Sequence, residues 1–301
     1  MPKIELDGDY KLIIVDEVSM LPIDLWQLLL RHRIPVIALG DPFQIPPIDP
    51  QRDNHVLDSP HIFLDEIMRQ ALDSEIIRFS MWIREGKPIA GYPTENKEVM
   101  VLDRNELTDG MIAWADQILC AKNATRTDLN NLARQIAGRG EAPEIGDKII
   151  SLTNHWNFSD PPLTNGTIGT ITDMWKSQVK LPSYIYDGPP LEILHTIMED
   201  DLGNIYQNIP IDYKCLLTGE KTLTTAQEFM IEKNKRLQAQ NIKPPFDFAY
   251  ANTITVHKFQ GSQAPKILVV EENFPFKYEE HARWAYTACT RAEQRLVFIK
   301  K

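Results

Sequence analysis

Two carboxylates stand side by side at Asp16 and Glu17, directly after the apolar run Leu12 to Val15. Such a run between polar flanks reads as a short strand buried on both faces of a parallel sheet, and ligands bind outside the carboxyl ends of those strands. Adjacent residues point in different directions, which suits two jobs. Asp16 can hold a Mg²⁺ ion through its water shell, and Glu17 can orient or deprotonate an attacking water. Taken alone, the string is equally well an acidic helix cap.

A second run, Pro35 to Leu39, ends in Gly40-Asp41-Pro42-Phe43-Gln44. The Gln44 amide can donate to a terminal phosphate and accept from a water. Arg69 in LDEIMRQA and Arg291 in AYTACTRAEQRL lie far apart, each at the edge of a helical pattern. A guanidinium can neutralise charge developing on a transferring phosphoryl group, although arginines on helices are usually solvated. In TITVHKFQGSQ, Thr255, His257, Lys258 and Gln260 precede Gly261. Hydroxyl, imidazole and ammonium groups grip backbone phosphates, while a glycine lets the chain pass close to a nucleotide. A lone His257 has no second His or Cys at ligand spacing, which argues against a metal there.

The elements that must position these groups follow from the pattern. A helix runs from Trp26 to Leu30 after Pro22, between the two short strands, which makes the unit of a parallel sheet. A proline-rich connector spans Pro42 to Pro60. Ile76, Phe79 and Ile83 mark a helix capped at Asp73 or Ser74 and stopped by Gly86 and Pro88. A strand from Gln117 to Ala121 precedes a helix with a capping signature at Thr125 and Asp128, an apolar face of Leu129, Leu132, Ala133 and Ile136, and an end at Gly138. From about Ala142 to Tyr213 the pattern alternates, with Asn165-Gly166 as a hairpin signal, and predicts a small all-β insertion. Thr225 and Glu228 cap a long charged helix ending near Gln240. Strands Thr253 to Val256, Lys266 to Val270 and Arg295 to Ile299 and a helix from Glu279 to Thr290 restore the α/β pattern.

Composition bounds the class. The 301 residues are 43% hydrophobic, enough for two domains with proper cores, and 42 acidic against 32 basic residues leave a net charge of −10. A field of that sign repels polyanions, so any nucleic-acid binding must be local. Cys120, Cys215 and Cys289 are isolated, which indicates a reducing compartment and no structural zinc. The opening MPKIELDGDYK lacks a signal-peptide core, and no segment has membrane-span length. These features predict a cytoplasmic location and no membrane partner.

In this order the strings resemble the later motifs of superfamily one DNA helicases, in the RecD-like and Dda-like group. DEVSM resembles the Mg²⁺ and catalytic-acid motif, GDPFQ the glutamine γ-phosphate sensor and LDEIMRQ the motif of a first arginine finger. TVHKFQGSQ resembles the motif that couples DNA to nucleotide, and YTACTRA the one carrying the second finger, Arg291. The resemblance runs from about Tyr10 to the C-terminus.

It implies an α/β fold of two RecA-like P-loop NTPase motor domains, each a parallel sheet flanked by helices. The first is incomplete, over residues 1–60. The second covers 61–141 and 246–301, and carries an all-β SH3-like insertion with a helical arm over 142–245. The implied activity is ATP-dependent helicase or translocase action on single-stranded DNA, 5′ to 3′, with ATP and Mg²⁺. Implied roles are Glu17, Gln44, Arg69 and Arg291 in catalysis, Asp16 on the metal, Gly40, Asp41, Gly261 and Gln263 at the nucleotide, and Thr255, His257 and Lys258 on DNA. Trp156, Phe158 and Trp175 could stack on bases, or pack within a hairpin.

Two departures stand out. Gln263 replaces the Glu of many relatives. The phosphate loop GxxxxGK followed by Ser or Thr occurs nowhere in the 301 residues. Thr218-Gly219-Glu220-Lys221-Thr222 is a decoy, because Glu220 separates glycine from lysine. On the helicase reading, the loop is expected from a separate N-terminal helicase polypeptide or a preceding segment, and the first two strands have a sheet edge to be covered. The alternative is a catalytically inactive DNA-binding or assembly module with the same ancestry.

Overall fold

The computed structural model describes residues 8–47, 49, 52–64, 73–95, 97–273 and 277–301. They divide into two compact units, 1–107 with 259–301, and 108–258.

The first unit opens with β1 (Ile13–Val15), α1 (Ile23–Leu30) and β2 (Val36–Ala38). β1 and β2 pair in parallel, Ile13 opposite Val36 and Val15 opposite Ala38. The expected burial on both faces is not found. Ile14 is 63% exposed and its register partner Ile37 46%, with Tyr10, Leu12 and Leu39 also exposed. Four consecutive apolar residues report a demand for cover on both sides, and this pair has an uncovered apolar face. Asn54 steadies the turn after β1 by donating its amide to the carbonyls of Val18 and Leu21, at 2.8 and 2.6 Å.

Next come α2 (Glu75–Arg84) and β3 (Val99–Asp103). Ser74 is the N-cap of α2, and Gly86 takes the left-handed φ of +73° that ends it, as the sequence predicts. The buried carboxylate of Glu75 accepts backbone N–H groups of Glu95, Glu98 and Val99, which anchors the start of β3.

The second unit follows with α3 (Asp109–Trp114), β4 (Gln117–Cys120) and α4 (Asn123–Ile136). α4 starts before the predicted cap: Lys122 is its N-cap, so Thr125 and Asp128 lie inside it. Its buried face is also not the predicted apolar one. Arg126, Asn130 and Arg134 are buried beside Leu129, while Leu132, Ala133 and Ile136 are only part-buried. Asn130 donates to the carbonyls of Arg126, Tyr250 and Thr253 and accepts the Thr253 N–H at 2.9 Å.

β5 (Lys148–Ser151), β6 (Ile168–Val179), β7 (Leu191–Asp200) and β8 (Ile205–Asp212) come next. After them come α5 (Tyr213–Thr218), α6 (Thr225–Lys233), α7 (Lys235–Ala239), β9 (Phe248–Tyr250), β10 (Thr253–Thr255) and α8 (Val256–Phe259). Five strands form an antiparallel sheet in the order β8-β7-β6-β5-β9, so the alternating segment is β-rich as its pattern predicts. Its edges meet, because Phe246, just before β9, bridges Ile211 of β8. Leu163, Ile171, Leu194, Met198, Ile209 and Phe248 fill its core. Asn165-Gly166 forms a turn, closed by Thr167 N–H to Thr164 O at 3.1 Å, that leads into β6 and is not the tip of a hairpin. The predicted long helix is broken at Asn234 into α6 and α7, and its capping box lies one residue earlier, at Thr224 and Gln227. Gly219 of the decoy string is the left-handed C-cap of α5. Separately, β10 pairs in parallel with β4, Thr255 opposite Cys120.

The chain returns to the first unit through β11 (Ala264–Val270), α9 (Tyr278–Cys289) and β12 (Ala292–Lys300). β11, β12 and β3 run in parallel. Phe79 of α2 meets Phe298 of β12 edge-on at 5.9 Å, and Trp284, Phe79 and Phe298 are fully buried. Each large apolar side chain so buried contributes about 1.5–3 kcal/mol. Among the described residues no helix is long and apolar enough to cross a membrane.

Candidate active site in the first unit

Asp16 and Glu17 emerge where β1 ends. Asp16 is exposed, and its Oδ1 accepts the Glu17 N–H at 2.8 Å. Glu17 has φ +51° and ψ +42°, a left-handed conformation that costs a non-glycine residue of the order of 1–3 kcal/mol. That backbone directs the two neighbouring carboxylates to different places. Glu17 Oε2 is buried and has no hydrogen-bond partner.

The loop after β2 lies against this turn. A Cβ on Gly40 would stand 3.0 Å from Val18 Cγ1 and 3.3 Å from the Val18 N, so a side chain there would push the two loops apart. Asp41 accepts the Phe43 N–H at 2.9 Å through Oδ1 and the Tyr286 hydroxyl at 2.7 Å through Oδ2. Burial, followed by that carboxylate, raises the Tyr286 pKa. The Arg84 guanidinium stacks 3.7 Å over Phe43, and the Ile45 N–H donates to Thr287 Oγ1 at 3.1 Å. Gln44 is thereby fixed at 9% exposure, and its Oε1 accepts from Gln260 Nε2 at 2.8 Å.

Arg291 follows α9 and is 5% exposed. Its Nε donates to Thr287 O at 3.2 Å, Nη1 to Ser262 O at 3.4 Å and Nη2 to Thr290 Oγ1 at 3.1 Å. Among the described residues it forms no ion pair. Burial lowers its pKa, and the foremost charge opposing that is Glu17. Glu17, Gln44 and Arg291 are therefore brought to one neighbourhood, with an unsatisfied carboxylate oxygen and a guanidinium that has no carboxylate partner among the described residues.

Gly261 has φ +81° and open space where a Cβ would stand, and Gln263 is exposed beyond it. Arg69 lies outside the described residues. Thr255, His257 and Lys258 belong to the second unit, at the carboxyl end of β10. Thr255 is buried, and burial lowers the pKa of both His257 and Lys258. Of the aromatic residues, Phe158 packs edge-on against Phe246 at 5.0 Å and Trp175 stacks on His195 at 5.2 Å, while Trp156 is 64% exposed. Sequence reasoning missed Tyr286 and Thr287, which secure the glutamine loop. Their only sequence signal is a place one helical turn before Arg291.

An exposed carboxylate at Asp16 beside the orphaned Glu17 oxygen suits Mg²⁺, which keeps much of its shell as water and phosphate oxygen.

Residues 250–299 match the UvrD-like helicase C-terminal domain. Three solved structures align over nearly the whole chain. The Pif1 helicase from Candida albicans has 19% identity and a TM-score of 0.53, over 97% of this chain and 72% of that one. The Bacteroides Pif1 bound to single-stranded DNA has 17% identity and a TM-score of 0.52, over 100% and 75%. The Bacteroides Pif1 in complex with ADP-AlF3 and single-stranded DNA has 16% identity and a TM-score of 0.52, over 99% and 75%. The chain shares the fold of these Pif1 helicase structures. No curated protein sequence matches it. Within this helicase fold the matched segment contains β10, α8, β11, α9, Arg291 and nearly all of β12.

Proposed function

We propose that the chain is the C-terminal portion of an ATP-dependent DNA helicase of the RecD-like and Dda-like group, stepping 5′ to 3′ on single-stranded DNA. A phosphate loop supplied by an N-terminal helicase polypeptide, or by a preceding segment, completes the nucleotide site. Residues 1–60 belong to the first motor domain, 61–141 and 246–301 to the second, and 142–245 to an SH3-like insertion with a helical arm.

The observation that carries this reading is the buried guanidinium of Arg291, without an ion pair, in the field of Glu17, whose Oε2 has no partner. Buried polar groups left open in this way are costly unless a ligand answers them. A triphosphate and its attacking water answer both. Glu17 orients or deprotonates the water, Gln44 donates to the γ-phosphate, and Arg291, with Arg69, neutralises charge in the transition state. Asp16 holds the Mg²⁺. Gly40, Asp41, Gly261 and Gln263 border the nucleotide, and Thr255, His257 and Lys258 contact the strand. The two-stranded sheet of β1 and β2 has open edges where the remaining strands of the first domain would add, and the helices of that domain would cover the bare face at Ile14 and Ile37. The neighbour solved with ADP-AlF3 and single-stranded DNA supports the same pair of ligands.

The test is oligonucleotide-stimulated ATP hydrolysis by the chain alone and with the phosphate-loop polypeptide. Hydrolysis should appear with the loop present and vanish in Glu17→Gln. Single-strand binding without hydrolysis in either case would leave the inactive module as the function.

A further inference from the structure

On the buried face of α4 two arginines have opposite surroundings. Arg134, 3% exposed, is answered by Asp147, with Nε to Oδ1 at 3.0 Å and Nη2 to Oδ2 at 3.1 Å. Arg126 is 7% exposed, yet among the described residues its guanidinium has no hydrogen bond, ion pair or ring partner. Burial lowers its pKa, and no carboxylate opposes that fall. A second cation stands nearby: burial, then the charge of Arg126, lowers the Lys258 pKa. Two partly desolvated cations without a carboxylate, in a chain of net charge −10, call for an anion from outside.

The surroundings fit one. Arg126 lies in the first turn of the 14-residue α4, whose N-terminus favours negative charge. β4 and β10 are parallel neighbours, so α4 and α8 both begin at the carboxyl ends of the pair, where such sheets bind ligands. Arg126, Thr127, Asn131, Gly219 and Tyr250 line a small open cavity. A Cβ on Gly219 would lie 3.9 Å from Arg126 Nη2, so the guanidinium reaches this cavity past bare backbone. Asn131 is exposed on the cavity wall with its amide uncommitted.

We infer that Arg126, together with Lys258, forms a phosphate-binding site on the second unit. The shared chemistry is a phosphate group, held by a planar guanidinium and assisted by an ammonium and a neutral amide. Its two sources are a backbone phosphate of a single strand and free inorganic phosphate. The first source rests on the motor reading; the site itself does not.

The experiment uses the full chain with two probes, a short fluorescent oligothymidine titrated at several salt concentrations and inorganic phosphate followed by thermal denaturation. Arg126→Gln removes the cation. Asn131→Asp, at an exposed position, places a carboxylate on the cavity wall and guards against a variant that merely unfolds. With a strand phosphate in the site, both variants bind oligothymidine about tenfold more weakly, and Arg126→Gln lowers the salt slope by about one. With free phosphate in the site, oligothymidine binding is equal or absent in all three proteins, and phosphate raises the melting temperature of the wild type alone. Absent oligothymidine binding counts against the motor reading and leaves the phosphate arm to decide the site. If neither probe separates the wild type from both variants, Arg126 has no ligand and the inference is overturned.

Discussion

Gln260 donates its side-chain amide to the carbonyl oxygen of Gln44 at 2.8 Å, across 216 residues of sequence. The bond commits the oxygen end of Gln44 and leaves its NH₂ end as the free donor, the end an anionic phosphate needs. Gln260 follows α8, which carries His257 and Lys258, so one short stretch of chain joins the proposed strand contacts to the proposed phosphate sensor.

A carboxylate in place of Gln260 accepts from the Gln44 NH₂ and turns that amide end for end, presenting an oxygen to the phosphate. Gln260→Glu should therefore lower hydrolysis more than Gln260→Ala does, by about tenfold, with nucleotide binding little changed in Gln260→Ala. Steady-state kinetics on the assembled protein measure the ordering, and equal rates for the two variants would remove Gln260 from the account.

The exposed pair Ile14 and Ile37 gives a second expectation. A charge at a solvent-facing position changes stability by no more than about 0.5 kcal/mol, yet it is costly to bury in an interface. Ile37→Lys should keep its melting temperature and lose association with the phosphate-loop polypeptide, as read by sedimentation velocity.

Asn130 is 3% exposed; its two amide N–H groups are shared among the carbonyls of Arg126, Tyr250 and Thr253, and its oxygen accepts the Thr253 N–H. Asn130→Ala leaves several backbone groups open in a buried place. Urea denaturation should show a loss of about 3 kcal/mol.

The His155 ring stacks on Phe246, with centroids 3.4 Å apart, and its Nε2 pairs with Thr153 Oγ1 at 2.8 Å. Burial pushes its pKa down from 6.5 to about 4, Asp247 opposing and Lys221 adding to the fall. Between those two values the unfolded chain takes up a proton that the folded chain refuses, so stability falls as pH falls through that window. Melting temperatures should decline more steeply between pH 6.5 and about 4 in the wild type than in His155→Phe, with parallel curves at higher pH.

Much of the first unit's site was legible in short strings, because its first parts are runs of apolar residues ended by chemically committed ones. Asp16 and Glu17 end such a run directly, Gln44 closes the loop after a second, and Arg291 instead follows a helical pattern. Strand burial was not legible: the run at Leu12 to Val15 records what its faces require, not what covers them. α4 misled for a different reason. Apolar periodicity points to Leu132 and Ile136, whereas Asn130 and Arg134 are buried because each finds partners distant in sequence, at Thr253 and Asp147. The same limit hid Tyr286 and Thr287, whose value depends on a loop more than 240 residues earlier. The start of α6 was read one residue late because a second plausible cap, Thr225, stands beside Thr224.

The central claim is that Arg291, Glu17 and Gln44 serve one triphosphate. Arg291→Ala, assayed for oligonucleotide-stimulated ATP hydrolysis with the phosphate-loop polypeptide present, tests it most directly. The account expects kcat to fall by about three orders of magnitude, with nucleotide affinity within a few-fold of wild type. Hydrolysis at the wild-type rate would contradict it.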